Sequence, residues 1–232
     1  DVTLELNGTA IFTDYVAGFI GRPGEEATGT QPETGYSTVL SLTNGDTLDM
    51  TIAGGADDID ADCTNMDLTI TLAYTVWNYA DDFETNYNAG INGSSSVWSY
   101  GFYNVVGGTG WTLYDEQGGY PSDNLSILKN WRTGGNPDEY GNAGKNVSGA
   151  LFSEFTWGPG MSWRSGQATL MTPMLYSTWL ATTDRPGARF TVPADGVYSI
   201  DITFENRVIS GEPTGVFVNI NDTEAFNSTV TG

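Results

Sequence analysis

The sequence predicts an all-β fold, a β-sandwich, on three observations. Apolar and polar residues alternate over short runs, Gly, Pro and Asn punctuate those runs, and no 3.6-residue apolar periodicity persists beyond about two helical turns. Aromatic and β-branched residues, which suit a pleated, half-buried surface, are plentiful. A chain of 232 residues can bury a real core as one large sandwich or two small domains.

Val2-Thr3-Leu4-Glu5-Leu6 alternates, Asn7-Gly8 makes a tight turn, and Ala10-Ile11-Phe12 resumes the strand. Residues 21–35 form a polar Gly/Pro loop. Tyr36 to Leu42 reads as a strand, Asn44-Gly45-Asp46 as a turn, and Thr47 to Ile52 as the returning strand. An acidic loop over 54–65 precedes Leu68-Thr69-Ile70-Thr71-Leu72, whose apolar members share one face. From Asp81 to Thr183 the glycine-rich chain carries Trp98, Trp111, Trp131, Trp157, Trp163 and Trp179, and reads as long loops pinned by large aromatics. Arg189 to Pro193, a turn at Ala194-Asp195-Gly196, and Val197 to Phe204 follow, the last being the clearest strand in the chain. A polar loop over 205–214 leads to Val216–Ile220 and an Asn221-Asp222 turn.

The net charge of −21 reflects scarce bases, 8 Lys plus Arg against 29 Asp plus Glu. That composition argues against nucleic-acid backbones and anionic membranes, which need clustered cations. No apolar run approaches the roughly 20 residues of a membrane-spanning helix, so membrane insertion is not expected. The lone Cys63 cannot close an internal disulfide. No signal-peptide pattern opens the chain, which fits a mature or excised piece of a secreted protein. Six N-x-S/T sequons, at Asn7, Asn92, Asn124, Asn146, Asn221 and Asn227, point to an extracellular glycoprotein. Asn92 and Asn146 are the best placed, each in a polar stretch.

The two ends repeat each other. Residues 2–18 align without a gap on residues 216–232, with Val2/Val216, Asn7/Asn221, Thr9/Thr223, Phe12/Phe226, Val16/Val230 and Gly18/Gly232 identical. Leu4/Val218 and Leu6/Ile220 keep the apolar positions. Such a match arises from a window slightly longer than one tandem repeat, or from two hairpins sharing an N-[GD]-T turn.

Asp82-Phe83 and Val97-Trp98-Ser99-Tyr100-Gly101 resemble the DF…VWSYG opening of a domain common in secreted bacterial proteins with exosortase-type sorting signals. That family continues through a strand similar to Phe190-Thr191-Val192-Pro193-Ala194-Asp195-Gly196-Val197-Tyr198. A hairpin similar to Val216–Phe226 follows, and then a GDTxD strand similar to Gly45-Asp46-Thr47-Leu48-Asp49. Here the order is permuted. Residues 1–80 resemble the C-terminal half of a module, and residues 81–232 the N-terminal half, completed by a neighbouring copy. The resemblance implies a jelly-roll sandwich similar to galactose-binding-like carbohydrate-binding modules, with long aromatic-rich loops and a role at the cell surface.

The absence of His removes the His-based relays and the commonest general base near neutral pH. No nucleophile elbow, P-loop or dinucleotide fingerprint is present, and no carboxylate pair stands out for glycoside cleavage. Enzymatic activity is therefore not expected. Asp58, Asp60 and Asp62 recur at every second residue, a spacing that puts three carboxylates on one face of an extended segment and suits Ca²⁺, or else a solvated acidic loop. Trp98, Tyr100, Trp111, Trp131 and Trp163 are candidate platforms for stacking sugar rings, or else core aromatics. The expectation is a non-catalytic extracellular structural or adhesive protein, a repeat or subunit of a head-to-tail filament or surface array built by β-strand sharing. Its partners would be copies of itself, and extracellular polysaccharide. The assembly interface is expected at Val2, Leu4, Leu6 and Phe12 or their counterparts Val216, Val218, Ile220 and Phe226. The alternative is a carbohydrate-binding module of a secreted protein.

Overall fold

Tyr198, Ile200, Ile202 and Phe204 alternate with Val197, Ser199, Asp201 and Thr203, so an extended chain here presents one apolar face and one largely polar face. In the computed structural model the run lies in a single 11-residue strand; the four apolar members are buried, and Val197, Ser199 and Asp201 face outward. The structure describes residues 2–6, 9–14, 33–53, 63–83, 97–103, 111–120, 128–132, 142–150, 152–154, 161–163, 165–171, 185–206, 215–220, 223–224 and 228–229.

The first strands are β1 (Val2–Leu6), β2 (Thr9–Asp14), β3 (Glu33–Leu42), β4 (Thr47–Ala53), β5 (Cys63–Leu72) and β6 (Thr75–Asn78). The middle of the chain supplies β7 (Trp98–Tyr103), β8 (Trp111–Leu113), β9 (Glu116–Tyr120), β10 (Leu128–Arg132), β11 (Asn142–Asn146), β12 (Phe152–Glu154), β13 (Met161–Trp163) and β14 (Ala168–Met171). The last are β15 (Arg185–Thr191), β16 (Gly196–Asn206), β17 (Gly215–Ile220), β18 (Thr223–Glu224) and β19 (Ser228–Thr229). There is no helix among the described residues.

All pairings are antiparallel. The larger sheet runs β3-β16-β5-β14-β11-β10-β9, with β6 added to β5; the smaller runs β18-β17-β4-β15-β7-β8, with β19 added to β17. The pairs β1–β2 and β12–β13 are two-stranded sheets of their own. Leu48, Met50, Ile52, Trp98, Tyr100 and Phe190 of the smaller sheet and Met66, Leu68, Ile70, Leu170, Tyr198 and Ile200 of the larger form one hydrophobic core. This is an all-β sandwich. Each fully buried side chain of this size contributes about 1.5–3 kcal/mol, which sets the stacking of the two sheets.

Two turns at one end are clasped together. Asp46 Oδ2 accepts from the Thr43 backbone N–H at 2.8 Å and hydroxyl at 2.9 Å, and Asp195 Oδ1 accepts from the Asn44 backbone N–H at 2.7 Å. Gly45 N donates to Val192 O at 2.9 Å, and Val192 N to Asp46 O at 2.8 Å. The GDT and VPAD segments, far apart in sequence, are therefore one structural unit.

One expectation is corrected. Residues 81–183 are not simply loops, since β7 to β14 arise there and extend both sheets. Their strands escape pattern reading because residues such as Gly118 and Gly144 stand where alternation would place a side chain. A Cβ at Gly118 would lie 2.6 Å from the Arg132 guanidinium, so the space is already filled from the neighbouring strand. Strands of the two segments, 1–80 and 81–232, pair with each other: β16 lies between β3 and β5, and β15 beside β4, within one chain.

Tyr79, Phe83, Trp98 and Tyr100 cluster between the sheets, with Phe83–Tyr100 centroids at 4.6 Å and Tyr79–Trp98 at 5.5 Å. The Tyr79 hydroxyl is buried there without a hydrogen-bond partner, and burial, followed by Tyr100 and Tyr114, pushes its pKa well above the usual tyrosine value. A pKa raised by folding leaves stability unchanged below about pH 10 and lowers it as pH rises beyond that. Tyr79→Phe should hold or raise stability, by up to about 1 kcal/mol, because it removes an unsatisfied buried hydroxyl. It should also reduce the loss of stability above pH 10; urea titrations at pH 7 and pH 10.5 check both.

Candidate functional site

The repeated ends form equivalent hairpins. In the first, Leu6 pairs with Thr9 and Glu5 with Ala10; in the second, Ile220 pairs with Thr223 and Asn219 with Glu224. The residues that match in sequence are thus also matched in register. Their contexts differ. β17 is hydrogen-bonded along β4, from Gly215 opposite Ala53 to Ile220 opposite Leu48. The β1–β2 pair joins neither large sheet and lies alongside β17, β4 and β18. Val2, Leu4 and Leu6 stand in β1, Phe12 in β2, and Val216, Val218 and Ile220 in β17 opposite Ile52, Met50 and Leu48. Phe226 lies outside the described residues.

Directly beside this edge is a buried ionic cluster. Asp49 of β4 is 0 % exposed and faces Arg189 of β15 across the ladder. Arg189 Nε donates to Asp49 Oδ1 at 2.6 Å and Nη2 to Oδ2 at 2.8 Å, a two-pronged pairing. The Tyr103 hydroxyl of β7 donates to Asp49 Oδ2 and lies 3.1 Å from Arg189 Nη2. The guanidinium also sits 4.7 Å from the centroid of Trp111 on β8. That indole lies against Gly101 and Gly187, where a Cβ would come within 2.9 Å and 3.2 Å of the ring. Four adjacent strands thus contribute to one cluster. Both oxygens of Asp49 are engaged, so the arrangement acts as a clamp across β4 and β15.

The sequence-predicted site residues fare differently. Trp98, Tyr100 and Trp131 are buried in the core and present no ring to a sugar. Trp111 is half-buried, held between the glycines and Arg189. Trp163 pairs with Phe152 in the β12–β13 hairpin. The Asn146 amide, expected to carry a glycan, is buried. Its Nδ2 donates to Ala150 O at 2.9 Å, and its Oδ1 accepts from Ser148 N at 2.9 Å and Ser148 Oγ at 2.7 Å. A glycan there would have to open the cover over this buried side chain. Asn7, Asn92, Asn124, Asn221 and Asn227, and Asp58, Asp60 and Asp62, lie outside the described residues.

Sequence reasoning missed the Asp49–Arg189–Tyr103 cluster. Its signal was an Arg flanked by the apolar Ala188 and Phe190, in a chain with few bases. No protein-family model, curated protein or solved structure matches the chain.

Arg189→Met should destabilise the fold by about 3–5 kcal/mol, because it strands the Asp49 carboxylate in the interior. Joint replacement of Asp49 and Arg189 by Leu and Met should recover much of that loss. Denaturant midpoints of the single and double variants check the difference.

Proposed function

We propose that the chain is a non-catalytic structural unit of an extended extracellular filament or surface array, built on a jelly-roll module and joined head to tail by sharing a hairpin. The observation that carries this reading is the pair of register-matched terminal hairpins, only one of which is paired into a large sheet. A hairpin with the same pairing and the same apolar positions as β17–β18 has the features needed to displace it and take its place beside β4 of another copy. Such an exchange keeps the backbone pairing along β4, and the displaced hairpin can do the same in the next copy. The joint is heterologous, so repeating it in one sense yields a fibre rather than a closed dimer.

The jelly-roll reading is supported by strand order. β3-β16-β5-β14 in one sheet opposes β4-β15-β7-β8 in the other, and the chain changes sheets at each step from β3 to β5 and from β14 to β17. In this reading the shared element is the hairpin alone. Sequon glycans outside Asn146, and Ca²⁺ at Asp58, Asp60 and Asp62, belong to the same extracellular reading.

The purified chain should form linear oligomers that lengthen with concentration, seen by electron microscopy and light scattering. Removing residues 1–18 should abolish them while leaving the thermal transition of the sandwich in place, and excess peptide 1–18 should cap growth of the intact chain. A strictly monomeric chain at high concentration, or oligomers indifferent to both treatments, would overturn the reading.

A further inference from the structure

The strands that end the two large sheets are unequal. β8 has 3 residues, β9 has 5 and β18 has 2, whereas β3 runs for 10 and, among the described residues, pairs with β16 alone. Sheet edges are ordinarily guarded against foreign strands by shortness, charge, proline or a bulge. β3 has a charge only at its start. Glu33 to Leu42 stand opposite Glu205 to Gly196 residue for residue without a bulge, and Thr34 to Leu42 contain no charged residue and no proline. The side of β3 turned away from β16 thus offers backbone N–H and C=O groups along about 34 Å, at 3.4 Å per residue.

The face beside this edge is also uncovered. Val39 is 65 % exposed and Val197, on the neighbouring strand, 58 %, with Ser37, Ser41 and Ser199 exposed around them. Across the sheet Val39 stands opposite Ser199, Ser199 opposite Thr71 and Thr71 opposite Val76, a row without charge. Further along β5 and β16 the same face turns acidic, where Asp67, Asp81 and Glu205 line an open polar cleft. Face-to-face stacking of two copies would bring those carboxylates towards each other, whereas the β3 edge is neutral.

Charge and symmetry select what pairs with it. A chain of net charge −21 repels its own copies except where the contact is neutral. Two identical edges that meet antiparallel occupy both unpaired rows at once, and the contact closes on itself. We propose that β3 pairs antiparallel with β3 of a second copy, continuing the larger sheet across a two-fold axis and bringing Val39 of both copies onto one face of the joined sheet. The joint lies on the sheet away from the terminal hairpins and stands without the head-to-tail contact; in a filament it would tie neighbours side by side.

Sedimentation of the full chain over a concentration series, with hydrogen exchange of residues 33–42 read by mass spectrometry, tests this. Dimers should form and should persist in excess peptide 1–18. About half of the β3 amides, those directed away from β16, should exchange more slowly as dimers accumulate. Val39→Asp adds like charges to both sides of the joint and should weaken dimerisation at least about tenfold, with the thermal transition kept because the side chain is exposed. Ser41→Asp should act in the same direction, and serves if the first variant does not fold. Three results would overturn the proposal: dimers that peptide 1–18 dissolves or that never form, β3 exchange indifferent to concentration, or dimerisation unchanged in both variants.

Discussion

The sandwich is organised around the ion pair between Asp49 and Arg189. A buried carboxylate is tolerated only where its charge is matched and its lone pairs are occupied, and here the guanidinium fork and the Tyr103 hydroxyl do both. The pair also sets register. Asp49 and Arg189 are directly opposite across β4 and β15; a slip of one residue would set Arg189 against Leu48 or Met50 and turn its charge into the hydrophobic core. Because β4 comes from the first third of the chain and β15 from the last, the same contact ties the two halves into one domain.

Residues behind the family resemblance serve this architecture. Asp82 Oδ2 accepts from the Asn78 backbone N–H at 2.9 Å and lies 3.4 Å from the Trp98 indole nitrogen, while Phe83 packs on Tyr100. The DF…VWSYG residues thus close the core between the sheets. GDT and VPAD clasp two turns, and the Asp of GDTxD enters the ion pair. These residues hold the scaffold together.

The terminal hairpins and the polar outer cleft are separated. The terminal hairpins lie with the smaller sheet at β17 and β4, and the polar cleft opens on the outward face of the larger sheet between β5, β16 and the turn before β14.

The alternation of Val197 to Phe204 and of Leu68 to Leu72 determined two neighbouring strands of the larger sheet and the faces they bury, because period two is a property of an extended segment by itself. The end repeat likewise marked two hairpins of equal register. The sequence could not show that Asp49 and Thr51 are as buried as Leu48 and Met50, nor that the amides of Asn65 and Asn146 lie inside. It could not identify the glycine-rich β9 and β11 as strands either. Those outcomes depend on what other parts of the chain bring to the second face of each sheet: an arginine from β15, an indole from β8, a guanidinium from β10. Local pattern specifies which side of a strand is apolar; burial of the other side is decided only when distant strands close over it.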